Sequence, residues 1–145
     1  MEKRGIFRPQ TAYSDKVFLL KLYPGTDPSI LDYLQEKGCR GVYVEGFGLG
    51  GMPFLKNDFI GAVKKAVENG MVILAGSQCR YEGSNLSVYE TGLRALESGV
   101  LQAYDMTAEA AMAKLMWVLG QTDSLREIRE YFSVDIAGEV TIPKE

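Results

Sequence analysis

The 145-residue sequence predicts an α/β domain of three layers, a parallel sheet of about four strands flanked by helices on both faces. Two observations carry that expectation. Short apolar runs recur at 16–23, 42–45 and 71–75, and segments of helical periodicity fill the intervals between them. Each run then opens into a glycine-bearing or polar loop, where α/β proteins place ligands.

The first run, Lys16 to Tyr23 (KVFLLKLY), reads as a strand ended by Pro24-Gly25. Asp27-Pro28 opens a helix, with Asp27 as the cap and Pro28 in the first helical position, where its missing N–H costs nothing. Ile30, Leu31 and Leu34 form the buried face of that helix, and Gly38 stops it. Val42, Tyr43 and Val44 form the second strand, β-branched and aromatic residues that fit a pleated surface. It runs into Gly46, Gly48, Gly50 and Gly51, which let backbone turn and approach another molecule closely. A helix over about 57–69 places Phe59, Ile60, Val63 and Val67 on one face before Asn69-Gly70.

Met71 to Ala75 is the third strand, followed by the polar loop Gly76-Ser77-Gln78-Cys79-Arg80. Ser87 and Glu90 have the spacing of a capping box for a helix reaching about Ser98. Val100 to Ala103 forms a short fourth strand. Helices over Thr107 to about Gly120 and from Ser124-x-x-Glu127 to about Phe132 complete the domain. Residues 1–15 are a polar, linker-like N-terminal segment, and 16–145 the folded domain. Right-handed crossovers then bring Pro24-Gly25, Glu45 to Pro53 and Gly76 to Arg80 to one edge, the carboxyl ends of the strands.

Composition narrows the chemistry. Apolar residues at 46% and charged residues at 24% are an ordinary globular mixture, and a net charge of −3 points away from nucleic acid and anionic membranes. No signal peptide or membrane span is evident, so a cytoplasmic location is expected. The sequence contains no histidine, which removes His-based triads and the usual zinc sites; no metal or cofactor is expected. Cys39 precedes the second strand and Cys79 follows the third, so a parallel sheet separates them by roughly 16 Å. A disulfide needs Cα atoms within about 7 Å, so two free thiols are expected.

Gly46-x-Gly48-x-x-Gly51 matches the dinucleotide fingerprint literally, but the next strand ends in Ala75-Gly76-Ser77 without the acidic residue that would hold a ribose. Met52-Pro53 also displaces the helix from the glycines. Cys79 has no histidine to activate it and reads as an unreactive thiol rather than a nucleophile, although Arg80 would favour its thiolate. Glu45 and Glu82 lie near the same edge, but their separation is not legible from sequence, so no acid/base couple follows. Tyr81, Tyr89 and Tyr104 read as half-buried packing residues and Trp117 as a core or interface residue.

Several motifs nevertheless occur in a recognisable order: Gly48-x-Gly50-Gly51-x-Pro53, Ser77-Gln78-Cys79, Tyr89-x-Thr91-Gly92, Asp105-Met106-Thr107-x-Glu109-Ala110 and Lys114-Leu115. Over roughly residues 16–140 the chain resembles the C-terminal domain of bacterial type I (cytoplasmic) L-asparaginases. Lys114 to Thr122 is also similar to the glutaminase subunit of archaeal tRNA-dependent amidotransferases. The resemblance implies that the nucleophilic threonines lie in a separate N-terminal catalytic domain, whose T-G-G-T signature does not occur here. This chain would then be inactive alone, contributing to a homodimer or higher homo-oligomer and to a wall of the neighbouring subunit's active site.

The complete enzyme would hydrolyse L-asparagine to aspartate and ammonia. The alternatives are an amidotransferase subunit supplying ammonia for tRNA-bound glutamate, and a free-standing small-molecule-binding regulatory module. The residues expected at a substrate or effector site are Gly48, Gly50, Gly51, Ser77, Gln78 and Cys79, with no catalytic residue and no direct contact with nucleic acid or membrane. Two positions depart from the pattern. Gly51 stands where many asparaginases carry an asparagine, and Glu45 where the type I regulatory site has an arginine. A carboxylate at 45 would repel an effector's α-carboxylate.

Overall fold

The computed structural model describes residues 8–48, 51–52, 58–79, 85–87 and 90–142. Its sheet has four parallel strands in the order β1 (Val17–Lys21), β2 (Gly41–Gly46), β3 (Val72–Ser77) and β4 (Leu101–Gln102). The helices are α1 (Ser29–Glu36), α2 (Phe59–Glu68), α3 (Glu90–Glu97), α4 (Ala108–Gln121) and α5 (Leu125–Phe132).

Strand alternation builds two cores. Val42, Val44, Ile73 and Ala75 face α1 and α2, where they meet Leu31, Leu34, Phe59 and Val63, with Ala95 of α3 closing the layer. Tyr43, Val72 and Leu74 face the other way, onto Ala111, Leu115 and Val118 of α4 and Ile128 and Phe132 of α5. Period-two alternation produces this division, and each fully buried aliphatic contributes roughly 1.5–3 kcal/mol. A sequential strand order with crossovers of one hand stacks the connecting helices on one face. The two C-terminal helices must therefore return to cover the other, and the three-layer fold follows.

The local signals act largely as expected. Asp58, Thr107 and Ser124 cap α2, α4 and α5. α1 departs from the expectation, with Pro28 and not Asp27 in the cap position and Ser29 as the first helical residue, although the Asp27 carboxylate still accepts the Ser29 N–H at 2.9 Å. Gly38 and Gly70 take positive φ after α1 and α2, conformations that glycine adopts freely. Several boundaries differ from the sequence reading, the fourth strand among them, which covers only Leu101–Gln102 where Val100 to Ala103 was expected. β1 is shorter at both ends, β3 begins a residue later than the sequence suggested and continues through Gly76 and Ser77, and α3 begins at Glu90. The Ser87 hydroxyl donates to Asn85 Oδ1 instead of serving as the expected capping-box partner. Cys39 and Cys79 are both free thiols.

Residues 8–16, ahead of β1, have no regular structure but are tied to α4. Ser14 N–H donates to the Met116 carbonyl at 2.9 Å, Trp117 Nε1 to Gln10 and Gln121 Nε2 to Ala12. Trp117 also meets Tyr131 edge-on, with ring centroids 5.2 Å apart. Gly120 makes the close approach possible, because a Cβ there would lie 2.4 Å from Tyr13 Cα. In a bare helix, alanine is better than glycine by about 1 kcal/mol. Gly120→Ala is expected to do the reverse, lowering stability by about 1 kcal/mol or more as backbone is forced off the helix. Urea unfolding with amide exchange at Ser14 checks the sign; stabilisation would show that the segment does not seat on α4.

Candidate functional site

Parallel pairing brings the carboxyl ends of the strands together, with Lys21 in register with Glu45 and Glu45 with Gly76. A cleft of 520 Å³ opens at that edge. Its floor and walls come from Lys21 of β1, Glu45 of β2, Ser77, Gln78 and Cys79 at the end of β3, and residues 104–109 leading from β4 into α4. Tyr104 turns the chain there with φ +50°, and the Thr107 hydroxyl then accepts the Ala110 N–H at the start of the helix.

The cleft is predominantly acidic. Its described lining residues include three carboxylates, Glu45, Asp105 and Glu109, and one ammonium, that of Lys21, whose Nζ lies 3.6 Å from Glu45 Oε2. Glu45 is only 13% exposed, whereas Lys21 reaches into solvent. The Thr141 N–H, bonded to Asp105 Oδ1 at 2.7 Å, holds that carboxyl below its ordinary range. Glu109 sits in the first turn of α4, where the helix dipole favours a negative charge. Beneath the floor lies Tyr43, in contact distance of Gly76. Burial first, then the charges of Glu45 and Glu109, push its phenol up to about 12.

The residues expected at the site divide into two groups. Ser77, Gln78 and Cys79 line the cleft. Gly48 and Gly51 belong to a neighbouring tight turn: Phe47 and Gly51 exchange backbone hydrogen bonds of 2.8 and 2.7 Å, and neither glycine lines the cleft. Gly50 lies outside the described residues. Two of the cleft residues also hold the edge together. Gln78 Nε2 donates to the carbonyls of Leu22 (2.7 Å) and Glu45 (3.1 Å), tying β1 to β2. The Ser77 hydroxyl donates to the Gly48 carbonyl and accepts the Cys79 N–H, tying the glycine turn to β3. Cys79 is exposed.

Sequence reasoning missed Lys21 and Tyr104–Glu109 as lining residues. Lys21 gives no local signal; the Asp105–Ala110 motif was visible, but nothing local shows that the β4–α4 turn folds back over the β2 and β3 ends. Glu45 reaches the cleft as its place at the strand end suggested, while Glu82 lies outside the described residues. Among the described residues no group of three acidic, thiol or imidazole side chains is placed to hold a metal ion. Among its described residues the cleft offers carboxylates, an ammonium and a thiol, but no nucleophile seated on a base.

Comparison with known proteins agrees with this fold. The family model for the Glutaminase/Asparaginase C-terminal domain matches residues 16–132. The chain is 46% identical over 129 residues to a glutamyl-tRNA(Gln) amidotransferase subunit of Thermococcus kodakarensis, an alignment covering 89% of this chain and 29% of that protein. Among solved structures it is similar to the thermostable L-asparaginase of Thermococcus kodakarensis, with TM-score 0.85, 38% identity, and coverage of 90% of this chain and 39% of that one. L-asparaginase I of Vibrio cholerae superposes with TM-score 0.85 at 28% identity, over 95% of this chain and 41% of that one. The chain thus spans less than a third of the length of the curated relatives it matches. With a matched sequence model, this identity and a shared four-strand fold, the chain belongs to the glutaminase/asparaginase C-terminal domain family.

Proposed function

We propose that this chain is the non-catalytic C-terminal domain of a cytoplasmic amide-hydrolysing enzyme, supplying a wall of a site whose reacting groups lie on another domain. The observation that carries this reading is the cleft itself. It lies at the edge where α/β proteins bind ligands, yet its described residues include no nucleophile–base pair. For the whole enzyme, the 46% identity to a glutamyl-tRNA(Gln) amidotransferase subunit favours a role in supplying ammonia to tRNA-bound glutamate. Glu45 supports that choice, because it makes the cleft hostile to the α-carboxylate of a regulatory asparagine. Assembly as a homodimer or higher homo-oligomer belongs to the same proposal. A second reading, an L-asparaginase, is favoured by the superposition on L-asparaginase I over 95% of this chain.

The purified chain is expected to release no ammonia from L-asparagine or L-glutamine in a coupled assay, and turnover of either would overturn the division of labour. A longer protein carrying this domain should amidate glutamyl-tRNA(Gln) at the expense of glutamine; tRNA-independent hydrolysis of asparagine would instead select the second reading. Calorimetry with asparagine on the chain alone should show no heat of binding. Saturable heat would revive the regulatory-module alternative.

A further inference from the structure

The two edges of the sheet are unlike. β4, at one edge, is two residues long, the kind of stub that natural sheets use to prevent edge pairing. β1, at the other, runs five residues and leaves Phe18 and Leu19 40% and 41% exposed on opposite faces. The hydrogen bonds to β2 fix which backbone groups are free. The Lys16 carbonyl accepts from Gly41 and the Leu22 N–H donates to Glu45, so the even-numbered residues of β1 face β2. The N–H and C=O groups of Val17, Leu19 and Lys21 therefore point outward, and no described segment pairs with them.

We propose that β1 is a self-recognition edge, on which a second copy of this chain pairs its own β1 antiparallel about a two-fold axis at Phe18. Two four-stranded sheets then become one continuous sheet. The choice of occupant and register follows from parity and charge. A two-fold axis must pair outward-facing groups with outward-facing groups, so it passes through a residue and not between two. Centred on Phe18, Val17 of one copy opposes Leu19 of the other, and Asp15 opposes Lys21, twice by symmetry. Centred on Leu19, Lys21 would face Val17 and Asp15 would face Tyr23. Centred on Val17, Asp15 would face Leu19. Only the first arrangement matches opposite charges across the junction, and it covers the exposed apolar pair as well. Asp15 is exposed, and Lys21 retains 64% exposure beside Glu45, so both are accessible. The pairing gives an interface to the homo-oligomer proposed above and rests on that part of the reading, not on which reaction the larger enzyme runs.

Analytical ultracentrifugation of the intact chain across micromolar concentrations should show a monomer–dimer equilibrium. Asp15→Lys places like charges at both ends of the junction and should weaken dimerisation roughly tenfold or more; the double variant Asp15→Lys/Lys21→Asp should restore it. In the proposed register the two Phe18 residues form a non-hydrogen-bonded pair, with Cα atoms about 4.5 Å apart, within the range a disulfide spans. Phe18→Cys should therefore oxidise to a cross-linked dimer, identified by mass spectrometry as a symmetric peptide pair joined at position 18, while Leu19→Cys should not. Circular dichroism confirms that each variant is folded. A chain that stays monomeric, a dimer indifferent to Asp15→Lys, or preferential cross-linking through Leu19→Cys would each overturn the proposal.

Discussion

Lys114→Met is expected to lower the stability of the domain by about 3 kcal/mol, as breaking a buried ion pair from one side typically does. Lys114 is 4% exposed, and its Nζ donates to Glu139 Oε1 at 2.5 Å and to the Val134 carbonyl at 2.7 Å while lying over the Phe132 ring. Methionine keeps the stem's packing but leaves Glu139, 14% exposed, without its cation. Burial alone would raise the Glu139 carboxyl; the Lys114 bond and the amides of Ala137 and Ile136 outweigh it and bring it from 4.5 to about 2. A lowered folded-state pKa stabilises the fold above the unfolded value and ceases to do so as pH falls through the folded one. The contribution should be complete above about pH 4.5 and lost toward pH 2. The gap between wild type and Lys114→Met, measured by urea unfolding, should therefore close on acidification. Adding Glu139→Gln should recover part of the loss at neutral pH, because a neutral amide costs less to bury than an unpaired charge.

The effect should reach the cleft. The tail that Lys114 anchors continues to Thr141, whose N–H bonds Asp105 at the cleft lip. Releasing the tail should let the Asp105 carboxyl rise toward its usual range, observable by NMR titration. An unchanged Asp105 would mean that Thr141 is held without Lys114.

These residues show where sequence reading succeeds and where it stops. Ser124 and Glu127 announce α5 because a cap acts over three residues, and the alternation of Val42, Tyr43 and Val44 announces two cores because pleating is local. Ser87 and Glu90 have the same spacing as Ser124 and Glu127, yet Asn85 Oδ1 accepts from both the Ser87 N–H and its hydroxyl: a local turn two residues back turns the side chain away from the cap position. The carboxyl edge of the sheet was legible as topology, but its composition was not. Lys21 meets Glu45 across two strands, and the turn at Tyr104–Glu109 reaches the cleft only after β4 has docked beside β3. Lys114 entered the sequence reading only through a motif. Nothing near it identifies Glu139, 25 residues away, as its partner. The glycine turn gave the strongest local signal and stands beside the cleft instead of lining it, because its backbone bonds go to itself and to Ser77.

Gly76→Ala should have the second large effect, about 2–3 kcal/mol of destabilisation, from overpacking beneath the cleft. A Cβ at 76 would lie 2.0 Å from Tyr43 Oη and 2.6 Å from its Cε2 and Cζ atoms. Tyr43 is 1% exposed and walled in by Leu74, Met106, Ala111 and Leu115, so the ring has no empty space to enter. The least obstructed movement is toward the cleft, because its hydroxyl end already lies under that floor. Such a shift admits water to the phenol and relieves the burial that, ahead of Glu45 and Glu109, places its pKa at about 12. Tyrosine ultraviolet titration of Gly76→Ala should then show one phenol ionising at lower pH than in the wild type. In a Tyr43→Phe background the same substitution should cost about 1 kcal/mol less, since the nearest clash is with the hydroxyl oxygen and only the ring-carbon contacts remain. Equal costs in the two backgrounds would locate the strain in the β3 backbone, not in the aromatic ring.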